Sequence, residues 1–481
     1  MTKDKDYYRT YSNPLTTRYA SREMAYVFSQ EMKFSTWRRL WVALAESEKQ
    51  LGLSITDEQI SELKKYIEDI NYADAEAREK EVRHDVMSHV YAYGLQAKKA
   101  APIIHLGATS AYVGDNTDII QMREALLILS KKLAWLITEL SKFAKKYKDM
   151  PTLGFTHFQP AQLTTVGKRA SLWMQDLYFD LLEVNFMIET IPLLGVKGTT
   201  GTQASFMELF DNDENKVKKL EALVVKKMGF KSAVKVSGQT YTRKIDCKIL
   251  DILSGIAQSA SKMATDIRLL QNLNEIEEPF EKNQIGSSAM AYKRNPMRSE
   301  RVCSLARVIL GYQSVPPITE ATQWFERTLD DSASKRIVIP EAFMAADAIV
   351  DILRNVSDGL VVYPKVINTR IMSVMRFMVT ENIIMRGVEK GGNRQELHER
   401  IRQHSMEATK KVKLEGKPND LLERIISDPD IDVNAEDLDA LMDPKLYVGR
   451  SASQVDELIE EIMPYVKKSG RGKNVKVELN V

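Results

Sequence analysis

The sequence predicts an all-α protein, on three observations. Apolar residues recur at helical spacing over stretches of about thirty residues. Strand-like alternation is scarce and brief. The longest periodic stretches are followed by proline, which ends a helix because it has no N–H to donate. A length of 481 residues is ample for a large core and corresponds to about three domains.

Residues 1–109 read as a separate unit of shorter helices, predicted at 35–51, 56–66 and 74–93, with Pro102, Gly107 and Gly114 marking the connection that follows. The first long helix is predicted over 117–147. Ile119, Ile120, Met122, Leu126, Leu129, Leu133, Leu136, Ile137, Leu140 and Phe143 give it a wide apolar face, Asp115 or Asn116 can cap it, and Pro151 follows its end. A second is predicted to start after Pro160 and stop at Pro192, and a third covers 242–274. The fourth and fifth cover 297–311 and 335–356. At 1.5 Å per residue, a helix of roughly 30 residues spans about 45 Å, and such helices lie side by side in a bundle. Their apolar faces are wider than a monomeric bundle needs, so burial against other subunits is expected. Tyr363-Pro364 marks a second boundary. Shorter helices return beyond it, and the basic tail over 467–473 is expected to fray. The expected domains are therefore an N-terminal helical domain (1–109), a central long-helix bundle (110–362) and a C-terminal helical domain (363–481).

The formal net charge of +2 is too small to argue for a nucleic-acid partner. Only two cysteines are present, Cys247 and Cys303, which rules out a disulfide framework and fits a reducing compartment. The polar start has no apolar stretch of the secretory kind behind it, and no apolar run is long enough to span a membrane. A soluble, cytoplasmic protein is expected, with no membrane partner.

The stretch most informative about chemistry is Gly286-Ser287-Ser288-Ala289-Met290-Ala291-Tyr292-Lys293-Arg294-Asn295-Pro296. It is too small and polar at its start for a core helix and too poor in β-branched residues for a strand. Gly286 gives backbone freedom, two hydroxyls follow, and Lys293 and Arg294 can neutralise a carboxylate or phosphate. Pro296 biases Asn295 away from the helical region, so a helix is expected to start at Met297. An ordinary basic surface loop is the alternative.

Of the six histidines, none forms an HExxH pair and no good metal site is visible. His157 stands out in Gly154-Phe155-Thr156-His157-Phe158-Gln159-Pro160, between two predicted long helices. A histidine there can act as a general acid or base near neutral pH. Arg83-His84-Asp85 places a cation, a titratable ring and a carboxylate in a row, or is simply a solvated helix face. Thr109-Ser110 offers hydroxyls and N–H groups to an anion. The segment over 195–205 is either an anion-cradling loop or a flexible turn, and it is not a P-loop because no Gly-Lys-Ser/Thr follows at the right spacing. Gln239-Thr240 precedes the third long helix. Arg327, Ser332 and Arg336 form a pattern fit for a phosphate, or a charged connector. Arg18-Tyr19 offers a cation and an aromatic face on which a purine can stack. No GxGxxG follows a strand, so no dinucleotide site is expected.

The 286–296 stretch resembles the signature loop of the fumarase/aspartase superfamily, G-S-S-x-M-P-x-K-x-N-P, with Ala291 where the family usually has Pro. Further segments, TLGFTHFQPAQLTTVGKR, RHDVMSH, IHLGATSAYVGDNTD, KGTTGTQASF, GQTYTRK and WFERTLDDS, are similar to those of the adenylosuccinate lyases, the animal-type branch above all. The resemblance runs from about Tyr11 to the C-terminal region. It implies an all-α homotetramer whose active sites each draw on three subunits. It implies a carbon–nitrogen lyase (an amidine-lyase) that eliminates fumarate from adenylosuccinate, giving AMP, and from the succinylated aminoimidazole carboxamide ribotide, giving the free carboxamide. No metal or organic cofactor is implied. By the same resemblance Ser287 is the general base, His157 the general acid, Lys293 the cation that favours the alkoxide, and Glu300 the partner that orients His157. His84 lies near the substrate phosphate, flanked by Arg83 and Asp85. Thr109, Ser110, Thr156, Gln239 and Asn295 hold the succinyl carboxylates. Arg18, Tyr19, Arg301, Arg327, Ser332 and Arg336 hold the nucleotide. The division of base and acid between Ser287 and His157 stays open at this point. So do a sister lyase acting on argininosuccinate or malate, and a non-catalytic scaffold that reuses the fold.

Overall fold

The computed structural model describes residues 9–472, 477 and 479. Among these residues the strands form only two short antiparallel pairs, β1 (Pro151–Thr156) with β2 (Gln159–Thr165) and β3 (Ile276–Glu277) with β4 (Val361–Val362). Five helices carry the core: Ser110–Lys146, Val166–Thr190, Lys244–Asn272, Met297–Tyr312 and Asp331–Gly359, named below by their first residues. The Ser110 helix packs against the Val166 and Asp331 helices, and the Lys244 helix against the Met297 helix. Ile119, Met122, Leu126, Leu129, Leu133, Leu136, Ile137 and Leu140 of the Ser110 helix are fully enclosed. Each such side chain is worth about 1.5–3 kcal/mol relative to exposure, so the apolar stripe decides which face turns inward.

Buried charges report the directions of these helices. The Ser110 and Asp331 helices run parallel. Lys335 pairs with Asp115 at 3.2 Å and Asp118 at 2.6 Å near the start of both, and Lys132 pairs with Asp347 and Asp351 further along both. The Met297 helix runs the other way. Its last residue, Tyr312, donates to Glu341 at 2.6 Å, while Pro279, upstream of its start, packs against Gly359. A side chain at 359 has no room, because a Cβ there would lie 2.6 Å from Pro279.

The bundle therefore has two ends. At 1.5 Å per residue, the 37-residue Ser110 helix is about 55 Å long and the 29-residue Asp331 helix about 43 Å. The near end holds the starts of both. The far end holds both strand pairs and the 286–296 segment. Glu275 gathers the far end: its carboxylate accepts from the Thr152 hydroxyl of β1 at 3.4 Å and from Arg370 at 2.9 Å, and its carbonyl accepts from the Tyr363 N–H at 3.0 Å.

Several local expectations are corrected. Residues 161–165, predicted as the start of the second long helix, lie in β2, and the helix begins at Val166. The β-branched pair Thr164-Thr165 and the ladder with β1 override the helical spacing there, and the Thr165 hydroxyl then caps the helix by accepting from the Lys168 N–H at 3.1 Å. The Ser110 helix starts before its predicted caps. Thr109 occupies the cap position, and Asp115 and Asn116 are buried inside the helix. Asp115 pairs with Arg243 and Lys335, and Asn116 donates to the Tyr112 and Gly195 carbonyls. The stretch over 74–93 is two helices, Tyr72–Val82 and Asp85–Gln96, parted at Arg83, whose φ of 57° breaks the run. The tail stays helical to Ser469, and Trp135 Nε1 donates to the Gly470 carbonyl at 2.8 Å. Lys473 and the polar start over 1–6 lie outside the described residues.

Candidate active site

At the far end, the helix start at Met297 is built on a buried carboxylate. Glu278 accepts from the Arg298 N–H at 2.9 Å, the Ser299 N–H at 3.0 Å and the Ser299 hydroxyl at 3.0 Å. These are first-turn groups that no helical carbonyl reaches. Burial pushes the Glu278 carboxyl upward, against the pull of those donors. The preceding segment closes into a ring, where Asn295 Nδ2 donates to the Gly286 carbonyl at 2.7 Å and Gln271 Nε2 to the Arg294 carbonyl at 2.8 Å. Gly286 is needed for close approach and not, as expected, for backbone freedom: a Cβ there would lie 2.0 Å from the Lys293 carbonyl oxygen.

Inside the ring, Ser287 Oγ accepts from the N–H groups of Ala289 at 3.3 Å and Met290 at 3.1 Å. Two donors on one hydroxyl oxygen favour its deprotonated form. Sequence reading missed this support, because backbone donors leave no residue-type signal. The Lys293 side chain is exposed and makes no ion pair among the described residues. Arg294 turns to Glu277 at 3.4 Å and to the Phe280 ring at 5.2 Å, away from a ligand role.

His157 sits between the Ser110 and Val166 helices, at the tip of the β1–β2 hairpin. His157 and Phe158 have φ of 51° and 60° and form the whole two-residue turn, with Thr156 paired to Gln159 beside them. Such turns usually take Asn-Gly, so a bulky pair here stores strain of the kind found at working sites. The imidazole is exposed and hydrogen-bonds to nothing among the described residues. Glu300 is exposed in the first turn of the Met297 helix, without a bond to His157 in this chain.

Between the two ends, Arg18 and Tyr19 lie in the π-helical turn Leu15–Tyr19, and the Arg301 guanidinium lies 5.8 Å from the Tyr19 ring centroid.

At the near end, a buried cluster ties together three helix starts. Arg243 Nε donates to Asp331 at 2.8 Å and its guanidinium pairs with Asp115 at 3.2 Å, with Lys335 alongside. Around this cluster lie Thr109 and Ser110 at the start of the Ser110 helix and Ser332 and Arg336 at the start of the Asp331 helix. The Gln239 N–H donates to the Glu326 carbonyl at 2.9 Å, beside Arg327, and Gln239 Nε2 reaches the Thr199 carbonyl at 3.2 Å. His84 caps the helix Asp85–Gln96, accepting from the Met87 N–H at 3.2 Å, and Asp85 reaches Arg336 at 3.8 Å. Arg83, in the left-handed break before it, is exposed and is not on a helix face. Helix starts carry partial positive charge, which fits an anionic ligand. Lys33 also faces this group. Burial holds its ammonium below the usual lysine range, Arg336 adds to the fall, and its Nζ lies 5.0 Å from the Trp37 ring centroid. The sequence signal for Lys33 was faint, two aromatics one and four residues on. The 195–205 loop turns its cation inward, where Lys197 pairs with Glu221 at 2.8 Å. Among the described residues, no group of three or more His, Cys, Asp or Glu is placed to hold a metal ion, and no helix is long and apolar enough to cross a membrane.

One chain thus brings Thr109, Ser110, Arg83, His84, Asp85, Gln239, Arg327, Ser332 and Arg336 to the near end. It brings the Ser287 loop and the base of the His157 hairpin to the far end. The two groups are separated by helices about 43–55 Å long.

Residues 22–311 match the family model described as Lyase, and residues 376–458 match the one described as Adenylosuccinate lyase C-terminus. The chain is 54% identical to an adenylosuccinate lyase of Saccharomyces cerevisiae over 457 residues, covering 94% of this chain and 95% of the relative. It is 48% identical to one of Schistosoma mansoni, covering 96% and 97%. Among solved structures it resembles the 3-carboxy-cis,cis-muconate lactonizing enzyme of Pseudomonas putida, with a TM-score of 0.83 at 21% identity over 95% of this chain and 100% of that one. It also resembles a fumarate lyase of Mesorhizobium, with a TM-score of 0.79 at 20% identity over 94% and 100%. At such identities these two structures bear on the fold alone, and they carry the same all-α architecture. With both family models and relatives that cover nearly the whole chain in agreement, the chain belongs to the adenylosuccinate lyase family.

Proposed function

We propose that the chain eliminates fumarate from adenylosuccinate, leaving AMP, and from the succinylated aminoimidazole carboxamide ribotide, leaving the free carboxamide. The observation that carries this reading is the 54% identity, over 94% of the chain, to a relative named adenylosuccinate lyase. The Ser287 oxygen removes the proton from the carbon beside a succinyl carboxylate. The electron pair spreads onto that carboxylate, then expels the purine nitrogen as the C–N bond breaks, and His157 protonates that nitrogen. Each proton transfer is worth typically ~10²–10⁴-fold. The paired N–H donors on Ser287 Oγ support the base role for serine. The exposed imidazole, free to meet a leaving group, supports the acid role for His157. Lys293 and Asn295 stand by the succinyl end with Thr156, Thr109, Ser110 and Gln239. Arg327, Ser332, Arg336 and His84 take the phosphate, and Arg18, Tyr19 and Arg301 the base and ribose.

The same reading requires assembly. Near-end and far-end groups meet at one ligand only if different subunits supply them, which supports a homotetramer with shared sites. The division into domains at 109–110 and 362–363 is proposed with it, supported by the helix start at Ser110 and by the second strand pair ending at Val362. A cytosolic location is also proposed, supported by two free, buried cysteines, and cell fractionation checks it. Purified protein given adenylosuccinate is expected to release fumarate and AMP, and turnover of argininosuccinate in its place would move the reading to a sister lyase. Mixing inactive Ser287→Ala and His157→Ala proteins is expected to restore part of the activity. No recovery after verified subunit exchange would put both groups in one chain's site.

A further inference from the structure

Arg18 and Tyr19 sit in a single π-helical turn, Leu15–Tyr19, a conformation that is rare and concentrated at functional sites. Leu15 is its one buried residue, and Tyr19 packs partly against the core. Hydrogen bonds fix the rest of the turn, and they converge on Asn13. The Asn13 Oδ1 accepts from the Leu15 N–H at 2.9 Å. Its carbonyl accepts from the N–H groups of Thr16 and Thr17 at 3.2 Å and from their hydroxyls at 2.9 and 3.1 Å. Its Nδ2 donates to Glu341 Oε1 at 2.7 Å, and the other Glu341 oxygen accepts from the Tyr312 hydroxyl at 2.6 Å. Further along the same Asp331 helix, Asp347 accepts from the Ser21 N–H at 2.7 Å, just past the turn. The turn is thus strapped to one helix at both ends.

We propose that Glu341 is a positioning residue for the nucleotide end of the substrate. It acts through Asn13 to hold the turn that carries Arg18 and sets Tyr19 against Arg301, and this rests on the function proposed above. A planar group with two polar atoms is required because partners from two different segments must be met at once, and the carboxylate oxygens meet both. No reacting atom touches it, so its loss affects binding and not the chemical step.

The test uses the full chain with Glu341→Ala, Asn13→Ala, their double variant and Glu341→Gln. It measures steady-state kinetics on adenylosuccinate and hydrogen exchange over residues 15–20. Glu341→Ala and Asn13→Ala are each expected to raise KM about tenfold, the usual worth of a hydrogen bond to a charged group, with kcat within about twofold. The double variant is expected to be no worse than Asn13→Ala, because Glu341 acts on the turn only through Asn13. Glu341→Gln is expected to retain most of the binding, its amide oxygen accepting from Asn13 and its NH₂ donating to the Tyr312 oxygen. In Glu341→Ala and in Asn13→Ala, exchange is expected to quicken over 15–20 and not in the helices of the bundle. An unchanged KM, a loss in kcat without one in KM, or additive single effects would each overturn the proposal. Should Glu341→Ala fail to fold, Asn13→Ala carries the same test. If the parent protein releases no fumarate, the functional reading fails first. The exchange data then judge the strap by themselves, and unaltered exchange over 15–20 rejects it.

Discussion

Replacing Gly286 by alanine tests whether the closed ring at 286–295 matters for turnover. The added Cβ would lie 2.0 Å from the Lys293 carbonyl oxygen, whereas real contacts of that kind stay at 3.0 Å or more. The ring must therefore open by at least 3.0 − 2.0 = 1.0 Å. Gly286 is not in the left-handed region, so the contact alone, and no backbone strain, produces the effect. Opening the ring moves Ser287, which hangs from it, and loosens the Asn295 bond to the Gly286 carbonyl. A misplacement of about 1 Å at a reacting group can cost about 10²-fold in rate, and that is the loss in kcat expected for Gly286→Ala. The melting temperature is expected to stay unchanged, because the ring lies at the surface and the core does not depend on it. The assay follows adenylosuccinate absorbance in single turnovers, which separates chemistry from product release. A Gly286→Ala protein with parental single-turnover rate would refute the reasoning.

Gly311, near the end of the Met297 helix, offers the opposite case: a Cβ there meets nothing within 4 Å, so Gly311→Ala is expected to raise stability by about 0.4–1 kcal/mol in urea titrations. Glu48 is enclosed with neither carboxylate oxygen hydrogen-bonded, and burial pushes its carboxyl up to about 9. The folded form keeps this proton while the unfolded form loses it near 4.5, so stability falls as pH rises from about 4.5 to 9 and levels above. At pH 7.5 that is about three pH units, on the order of 4 kcal/mol. Glu48→Met is therefore expected to raise the melting temperature more at pH 8 than at pH 5, and equal shifts would contradict the burial argument. Arg243, 1% exposed between Asp115 and Asp331, is the third case. Its loss strands the buried Asp331 carboxylate and leaves Asp115 with Lys335 alone, so Arg243→Ala is expected to cost about 3–5 kcal/mol by denaturant unfolding, with KM rising as the near end loosens.

The long helices were legible because each carries its own apolar stripe, a signal local to the helix. The Met297 start was legible for the same reason, since Asn295-Pro296 dictates it through backbone sterics alone. The hairpin carrying His157 was not. Its strands depend on pairing with each other, and residues 161–165 continue a helical spacing that the ladder overrules with help from Thr164-Thr165. Asp115 looked like a cap because it stands at a plausible helix entrance, and its real partners, Arg243 and Lys335, lie more than a hundred residues away in sequence. Candidate site residues were legible as chemical types in motifs, whereas the donors on Ser287 Oγ belong to the backbone and carry no identity.

The sequence by itself determined the helical class, the extents of most long helices, and which hydroxyls, imidazoles and guanidiniums were candidates for chemistry. Those follow from spacing along one segment and from side-chain type. The tertiary structure decided where the candidates lie: Ser287 and the His157 hairpin at one end of the bundle, Arg327 and Arg336 at the other. Helix direction settles this placement, through pairs such as Lys132–Asp347 and Tyr312–Glu341 that join residues distant in the chain. Contacts between remote segments depend on how stripes dock, and no single stripe encodes its partner.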